Sequence, residues 1–332
     1  MKKRLFKIII GLGAPFLAAL LFFMAYIHTP VTPKEPQITI EKGMSLKQIS
    51  HALEENGIIR FPLLFMIYVQ MAREGDSLQA GLYLFDKPAA PREVLNRLAK
   101  GLIYALKVRL VEGWTAKQIS DYLETLSFNT DPGFQQTFIK LVKDPMLIQI
   151  LGLNVKSLEG YLFPNTYYVE TTATPADYLT AFVKLFEKNY QKALQGLPTL
   201  PPYSQHQIVT LASIIEKETG IEDERRIIAS VFYNRLAKGI ALQSDPTIIY
   251  GLKNFTGDIK KADIRNPHPY NTYVHSGLPP GPICNPGFAS IKAALNPAQT
   301  NYLYFVSKGD GTHHFSATAK EHTEAVKFYQ LP

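Results

Sequence analysis

The residues best suited to chemistry lie within residues 211–251, where a glutamate follows a column of apolar side chains. Helical spacing places Leu211 and Ile215 on one face, and Glu218 lies above them, seven residues after Leu211. A carboxyl group there loses solvation, which disfavours its charged form and raises its pKa. Such a glutamate can donate a proton near neutral pH. Glu216 flanks the same face, and a Glu-Lys-Glu run is also typical of a solvated helix edge, so spacing leaves both acids as candidates.

A polar loop at residues 243–247 comes after this helix and a second helix predicted over residues 223–238. Within the loop, Asp245 precedes Pro246, which predicts that Asp245 caps a further helix with proline at its first position. The carboxylate of a cap accepts hydrogen bonds from backbone N–H groups. From the residues alone, Asp245 is therefore predicted to be a cap and not a catalyst.

Aromatic and amide side chains accompany these acids in several segments. Sugar sites use aromatic faces for the C–H surfaces of the rings, and amide or hydroxyl groups for the sugar hydroxyls. A long Pro- and Gly-rich loop at residues 266–287 is predicted to form a wall of the site. The candidate sugar-binding residues are Tyr161, Phe163, Tyr167, Gln243, Tyr250, Tyr270, Asn271 and Tyr273.

Several other chemistries find no support in the sequence. Five of the eight histidines lie in the last quarter, but none has metal-ligand spacing on one helix, so neither a metal nor a cofactor is expected. The single cysteine, Cys284, excludes an internal disulfide.

The formal net charge is +7, and four of these charges lie in the first seven residues. The surplus of three on the rest of the chain does not indicate nucleic-acid binding.

The N-terminus resembles a membrane anchor. A basic head precedes an uncharged, mostly apolar run at residues 8–27, and twenty residues at about 1.5 Å each span about 30 Å, the thickness of a bilayer core. A cleaved signal peptide would have a shorter apolar region and a small-x-small cleavage site. Residues 1–28 are therefore predicted to be a head and a single transmembrane helix. The remainder would face outward, which in a bacterium means the periplasmic side of the inner membrane.

The region after the predicted anchor contains an internal sequence repeat. Residues 29–36 are predicted to form a stiff linker. After this linker, the motif Lys-Gln-Ile-Ser occurs at residues 47–50 and again at residues 117–120. Each copy follows a predicted strand and a glycine turn, and each opens a helix with a capping box. This unit resembles LysM, a module through which many exported proteins hold cell-wall glycans. The alternative is a structural subdomain that binds nothing.

The predicted fold class is α+β. A transmembrane helix precedes a LysM-like α+β subdomain at residues 37–104. Residues 105–332 are predicted to form a mixed α/β catalytic domain with a glutamate on a helix, and a second LysM-like unit lies near residues 107–126.

A longer set of motifs resembles one enzyme family. In order along the chain these are EGYLFPNTY, LASIIEKET, SVFYNRL, LQSDPTIIYG, YNTY, GLPPGPICNPG and YLYFVSKGDGTHHFS. Together they resemble the endolytic murein transglycosylases of the MltG/YceG-like family.

The resemblance implies cleavage of the β-1,4 bond between N-acetylmuramic acid and N-acetylglucosamine without added water, which leaves 1,6-anhydro ends. It assigns catalysis to the second acid of the Glu-x-Glu, here Glu218. Relatives often carry Asp where this chain has Asn165, so an acidic role at that position is not expected. The substrate would be peptidoglycan strands, whose growth the enzyme would terminate, and peptidoglycan synthases (penicillin-binding proteins) are candidate partners. The substrate-binding residues would be Glu159, Gln243, Asp245, Thr247, Tyr250, Asn271 and Tyr273.

Two alternatives stay open. A lysozyme-like hydrolase would use Glu218 as the acid and Asp245 or Glu159 as its second carboxylate. A membrane-anchored scaffold would bind the wall through its LysM-like unit and cleave nothing.

Overall fold

The computed structural model describes residues 2–126, 133–170, 173–197, 199–252, 255 and 257–330, with side chains from residue 15 onward. The chain divides into two compact units. The first comprises Met1–Lys107 with Tyr168–Thr172, and the second comprises Val108–Tyr167 with Ala173–Pro332. Helices combine with small sheets, which confirms the α+β class. The assignment of a LysM-like function to the first unit stays a prediction.

The first unit packs a two-stranded sheet against short helices. Its elements are α1 (Lys2–His28), β1 (Gln37–Ile40), α2 (Leu46–Glu55), α3 (Pro62–Ala72), β2 (Gly81–Leu84), α4 (Pro91–Ala99) and the start of β3 (Ala105–Arg109). β1 and β2 are antiparallel, with Ile38 opposite Tyr83. Ser45 and Gln48 form the predicted capping box of α2. Helix α3 was not predicted, because its residues are apolar on nearly every face and show no helical period.

The predicted anchor corresponds to α1. Among the residues that the structure describes, no helix is both long enough and apolar enough to cross a membrane. Residues 8–14 of the predicted span lie outside the residues whose side chains are described. The anchor therefore stays a prediction.

The second unit is mostly helical. Its elements are α5 (Ala116–Thr125), α6 (Phe134–Leu141), α7 (Pro145–Ile150), β4 (Thr166–Glu170), α8 (Pro175–Leu194), α9 (Gln205–Glu218), α10 (Glu222–Ala237), α11 (Asp245–Gly251), α12 (Lys261–Ile264), α13 (Phe288–Leu295), β5 (Tyr304–Ser307), β6 (His313–Ser316) and α14 (Ala319–Tyr329). β3 pairs with β4, and the division into units falls within both strands. β5 and β6 form an antiparallel hairpin.

Helix α9 is the central element of the second unit. Its buried residues include the predicted face, but the burial is more extensive, since eight consecutive residues from Ile208 to Ile215 are buried. The helix packs against α13, α10 and α11. Ser204 and Gln207 form its capping box, and it ends at Glu218, after which Thr219 is extended. The packed body of α9 therefore fixes the position of a glutamate at its last residue.

Candidate active site

Glu218 lies at the C-terminal end of α9 and is partly buried. The Ser244 hydroxyl donates to its Oε1 at 2.5 Å, and no other described residue makes a hydrogen bond to this carboxyl group. Burial raises the pKa of Glu218 to about 7, because desolvation outweighs the opposing Ser244 hydrogen bond. The nearby Asp245 carboxylate raises this pKa further. The negative end of the helix dipole acts in the same direction. Glu218 can therefore hold a proton near neutral pH.

Glu216 has a different environment. The backbone N–H of Gly287 donates to its Oε2 at 2.9 Å, and Arg225 Nη2 lies 3.8 Å from its Oε1. Arg225 also donates to Ser290 Oγ at 3.1 Å, so this buried ion pair joins α9 to α10 and to the first turn of α13. The carboxylate of Glu216 is thus engaged in holding helices together. The structure separates the two acids that spacing could not.

Arg235 fixes the loop that faces Glu218. Its guanidinium donates to the carbonyls of Leu242 at 2.7 Å and Leu303 at 2.7 Å. Its charge favours the Glu218 carboxylate and so lowers that pKa. Gln243, the next loop residue, has a φ of 53°, in the left-handed region that non-glycine residues seldom adopt. Such strain persists only where the surroundings enforce it.

His313, the first residue of β6, is held by the carboxylate of Glu224. The Glu224 carboxylate holds its ring Nδ1 at 2.7 Å and accepts from its backbone N–H at 2.8 Å. Thr219, which follows Glu218 in the chain, also donates to Glu224 at 3.4 Å. A protonated His313 favours the Glu218 carboxylate and so lowers its pKa. Sequence reasoning missed this pair because its members lie 89 residues apart.

Asp245 is not the helix cap that was predicted. Ser244 occupies the cap position and Asp245 is the first residue of α11. The exposed Asp245 carboxylate accepts from Tyr273 Oη at 2.7 Å and not from the helix backbone. Burial raises the pKa of Tyr273, and the hydrogen bond to Asp245 and the charges of Asp245 and Glu218 raise it further. The structure therefore brings Glu218, Ser244, Asp245 and Tyr273 together.

Thr247 and Asn271, two predicted sugar contacts, are buried beneath the loop. Thr247 Oγ1 donates to the Ser244 carbonyl at 2.6 Å and lies 2.9 Å from Thr272 Oγ1. The Asn271 amide donates to three backbone carbonyls, and its Oδ1 accepts from the Tyr273 N–H at 3.0 Å. These contacts position Ser244 and Tyr273. Direct contact of Thr247 and Asn271 with sugars stays a prediction.

Glu159 is buried apart from this cluster. Its carboxyl group accepts from the Ala116 N–H at 2.9 Å, from Asn285 Nδ2 at 3.1 Å and from Tyr250 Oη at 3.3 Å. Desolvation nevertheless raises its pKa to about 7. These bonds join α5, α11 and the Asn285 loop, and they engage both carboxylate oxygens.

Three of the predicted sugar-binding aromatics belong to the core. Tyr161, Phe163 and Tyr167 are all buried. The Tyr161 ring packs on Phe186 of α8 at a centroid distance of 4.8 Å. Tyr250 and Tyr270 instead pack on each other at 4.8 Å and stay partly exposed.

Comparisons with known proteins agree over most of the chain. The model of the YceG-like family matches residues 38–328. The endolytic murein transglycosylase of Bacillus subtilis (strain 168) is 33% identical over 304 residues, covering 88% of this chain and 84% of that protein. That of Streptococcus pneumoniae serotype 2 is 28% identical, covering 87% of this chain and 57% of the longer relative. A crystal structure of a yceG-like protein from Listeria monocytogenes superposes with a TM-score of 0.59 at 32% identity, covering 88% of this chain and 98% of that one.

Proposed function

The chain belongs to the YceG-like family, and from that premise we propose that it is an endolytic lytic transglycosylase of peptidoglycan. It would cleave the bond between N-acetylmuramic acid and N-acetylglucosamine without water and leave 1,6-anhydro ends. The observation that carries this proposal is the position of Glu218 at the last residue of α9, where Ser244 donates to its carboxyl group and burial raises its pKa to about 7.

The proposed mechanism needs only this one acid. Protonated Glu218 gives its proton to the bridging oxygen as the C1–O bond breaks. The resulting carboxylate takes the proton of the C6 hydroxyl as that oxygen attacks C1 and closes the ring, which restores the acid. An intramolecular attack of this kind has a large effective-molarity advantage. Ser244 occupies Oε1 and leaves Oε2 for substrate. The Asp245 carboxylate is suited to stabilise positive charge developing at C1.

The products test this mechanism against hydrolysis. We expect mass spectrometry of peptidoglycan digests to show anhydro ends, with no oxygen taken up from isotope-labelled water. Reducing ends that carry solvent oxygen would instead support a lysozyme-like hydrolase. Asp245 is then the better second carboxylate, because Glu159 is engaged in buried hydrogen bonds.

We expect kcat/KM to fall as pH rises above about 7, because the first step needs protonated Glu218. His313→Ala removes a side chain whose electrostatic influence lowers the pKa of Glu218, so it should move this decline to higher pH. A pH–rate profile on a defined glycan checks both statements. His314→Ala, one residue along the same strand, is the matched control. An unmoved or downward-shifted decline in His313→Ala would contradict the assigned influence.

The predicted anchor supports a place for the enzyme at the inner membrane, where it would terminate strands as synthases extrude them. Exposed apolar residues on the described part of α1, including Phe16 and Leu21, are consistent with a lipid environment. Deleting residues 1–28 should spare cleavage of isolated wall but lengthen glycan strands in cells, as measured by strand-length chromatography. Unchanged strand lengths would count against the anchor's role.

A further inference from the structure

A groove of about 1000 Å³ lies within the second unit beside the proposed active site. Its wall includes Lys217 and Pro246, which adjoin Glu218 and Asp245 in the chain. From there it extends along α5 and α6. We call it the lysine groove, because its lining includes Lys117, Lys140, Lys143 and Lys217.

The lysine groove has a surplus of positive charge. Two acids also line it, but Lys117 pairs with Asp121 at 2.8 Å, and Glu159 is buried with its oxygens bonded inward. Lys140, Lys143 and Lys217 are exposed, and no described acidic residue forms an ion pair with them. Positive groups that line a concave surface raise the local concentration of anions.

The other lining residues suit a peptide. Gln136 offers a whole amide group to a peptide backbone, whereas Gln118 Oε1 accepts from the Thr115 N–H and Gln135 Nε2 donates to Asp121, so each of these two offers its other amide atom. Ile139 and Ile249 offer apolar contacts for small side chains. A peptidoglycan strand presents such a ligand beside the reacting bond. Each muramic acid carries a short peptide stem with several carboxylates. This stem is attached to the same sugar ring whose C1 is attacked.

We propose that the lysine groove binds the acidic peptide stem of the muramic acid being cleaved. This inference rests on the proposed function and adds a substrate preference to it. Strands that carry stems bind better than strands whose stems have been removed, because the stripped glycan keeps only the lactyl carboxylate on each muramic acid.

The test compares stem-bearing strands with the same strands stripped by an amidase. Reversing two groove charges, in Lys140→Glu/Lys143→Glu, should lower the ratio of kcat/KM for stem-bearing over stripped substrate about tenfold, with the loss in KM. The control Lys184→Glu/Lys188→Glu makes the same charge change on α8, outside the groove, and should leave the ratio as in the parent. An unchanged ratio in the groove variant overturns the proposal.

A binding measurement separates this proposal from the proposed function. Calorimetric titration of the catalytically blocked Glu218→Gln chain with a disaccharide-peptide should show about tenfold weaker binding when the two groove reversals are added. Equal affinity with and without the reversals overturns the stem site, whatever the enzyme does to the glycan. Absence of anhydro ends from either substrate would instead count against the transglycosylase reaction.

Discussion

Glu218→Gln is expected to lower kcat/KM by about a thousandfold or more, because general acid–base catalysis contributes a rate factor of roughly 10²–10⁴ and the proposed mechanism assigns both proton transfers to this residue. The amide can still accept a hydrogen bond from the Ser244 hydroxyl, so the loop should keep its position. It can neither give a proton to the leaving oxygen nor take one from the C6 hydroxyl. Initial rates of anhydro-end release, quantified by mass spectrometry, measure the loss.

Glu216→Gln is the matched control, two residues earlier on the same helix. This substitution leaves Arg225 buried without its carboxylate partner, which costs about 3–5 kcal/mol when a buried pair is broken. Its effect should therefore appear in the denaturant midpoint, while folded protein at low temperature still releases anhydro ends. If the folded Glu216 variant were inactive and the Glu218 variant active, the two roles would have to be exchanged.

The sequence could predict those features that depend on neighbouring residues. Capping boxes at Ser45 and Thr115 and the apolar face of α9 follow from spacings of three or four residues, and the structure has them. Helix α3 escaped prediction because it lacks a polar face to define a period. Tyr161 and Tyr167 were grouped with sugar-binding aromatics because composition cannot distinguish a ring that packs on α8 from one that faces a ligand.

The environment of the candidate site depends on contacts between distant residues. Glu216 is bound by Gly287 and Arg225, whereas Glu218 is bound by Ser244, and the Gly287 contact spans 71 residues. Asp245 and Ser244 are both good caps by type, and the sequence could not show that Tyr273 takes the aspartate carboxylate. The resemblance to a family implies Glu218 as the catalytic acid, and the tertiary contacts give a physical reason to propose it over Glu216.

Burial of an ionisable acid in this site should also lower the stability of the fold. The pKa of Glu218 rises from 4.5 to about 7 on folding, so between these values the folded chain binds the proton more tightly than the unfolded chain does. The contribution of Glu218 to the free energy of unfolding is therefore most favourable below about pH 4.5, and it is lost as pH rises through about 7. One pKa unit corresponds to about 1.4 kcal/mol, so the free energy of unfolding should be lower by about 3 kcal/mol at pH 8 than at low pH because of this group.

Glu218→Gln should consequently stabilise the fold by roughly 1–3 kcal/mol at about pH 8, and by much less at about pH 4, where the wild-type acid is already neutral. Urea unfolding of both proteins at the two pH values measures this difference. The pKa of Glu159 is also raised to about 7, but its contribution is common to both proteins and cancels. Glu324→Gln, at an exposed position on α14, controls for loss of a surface charge. An equal gain in the free energy of unfolding at both pH values would mean that the variant is more stable for a reason other than loss of the buried charge. Glu218 would then not be the desolvated acid that the mechanism requires.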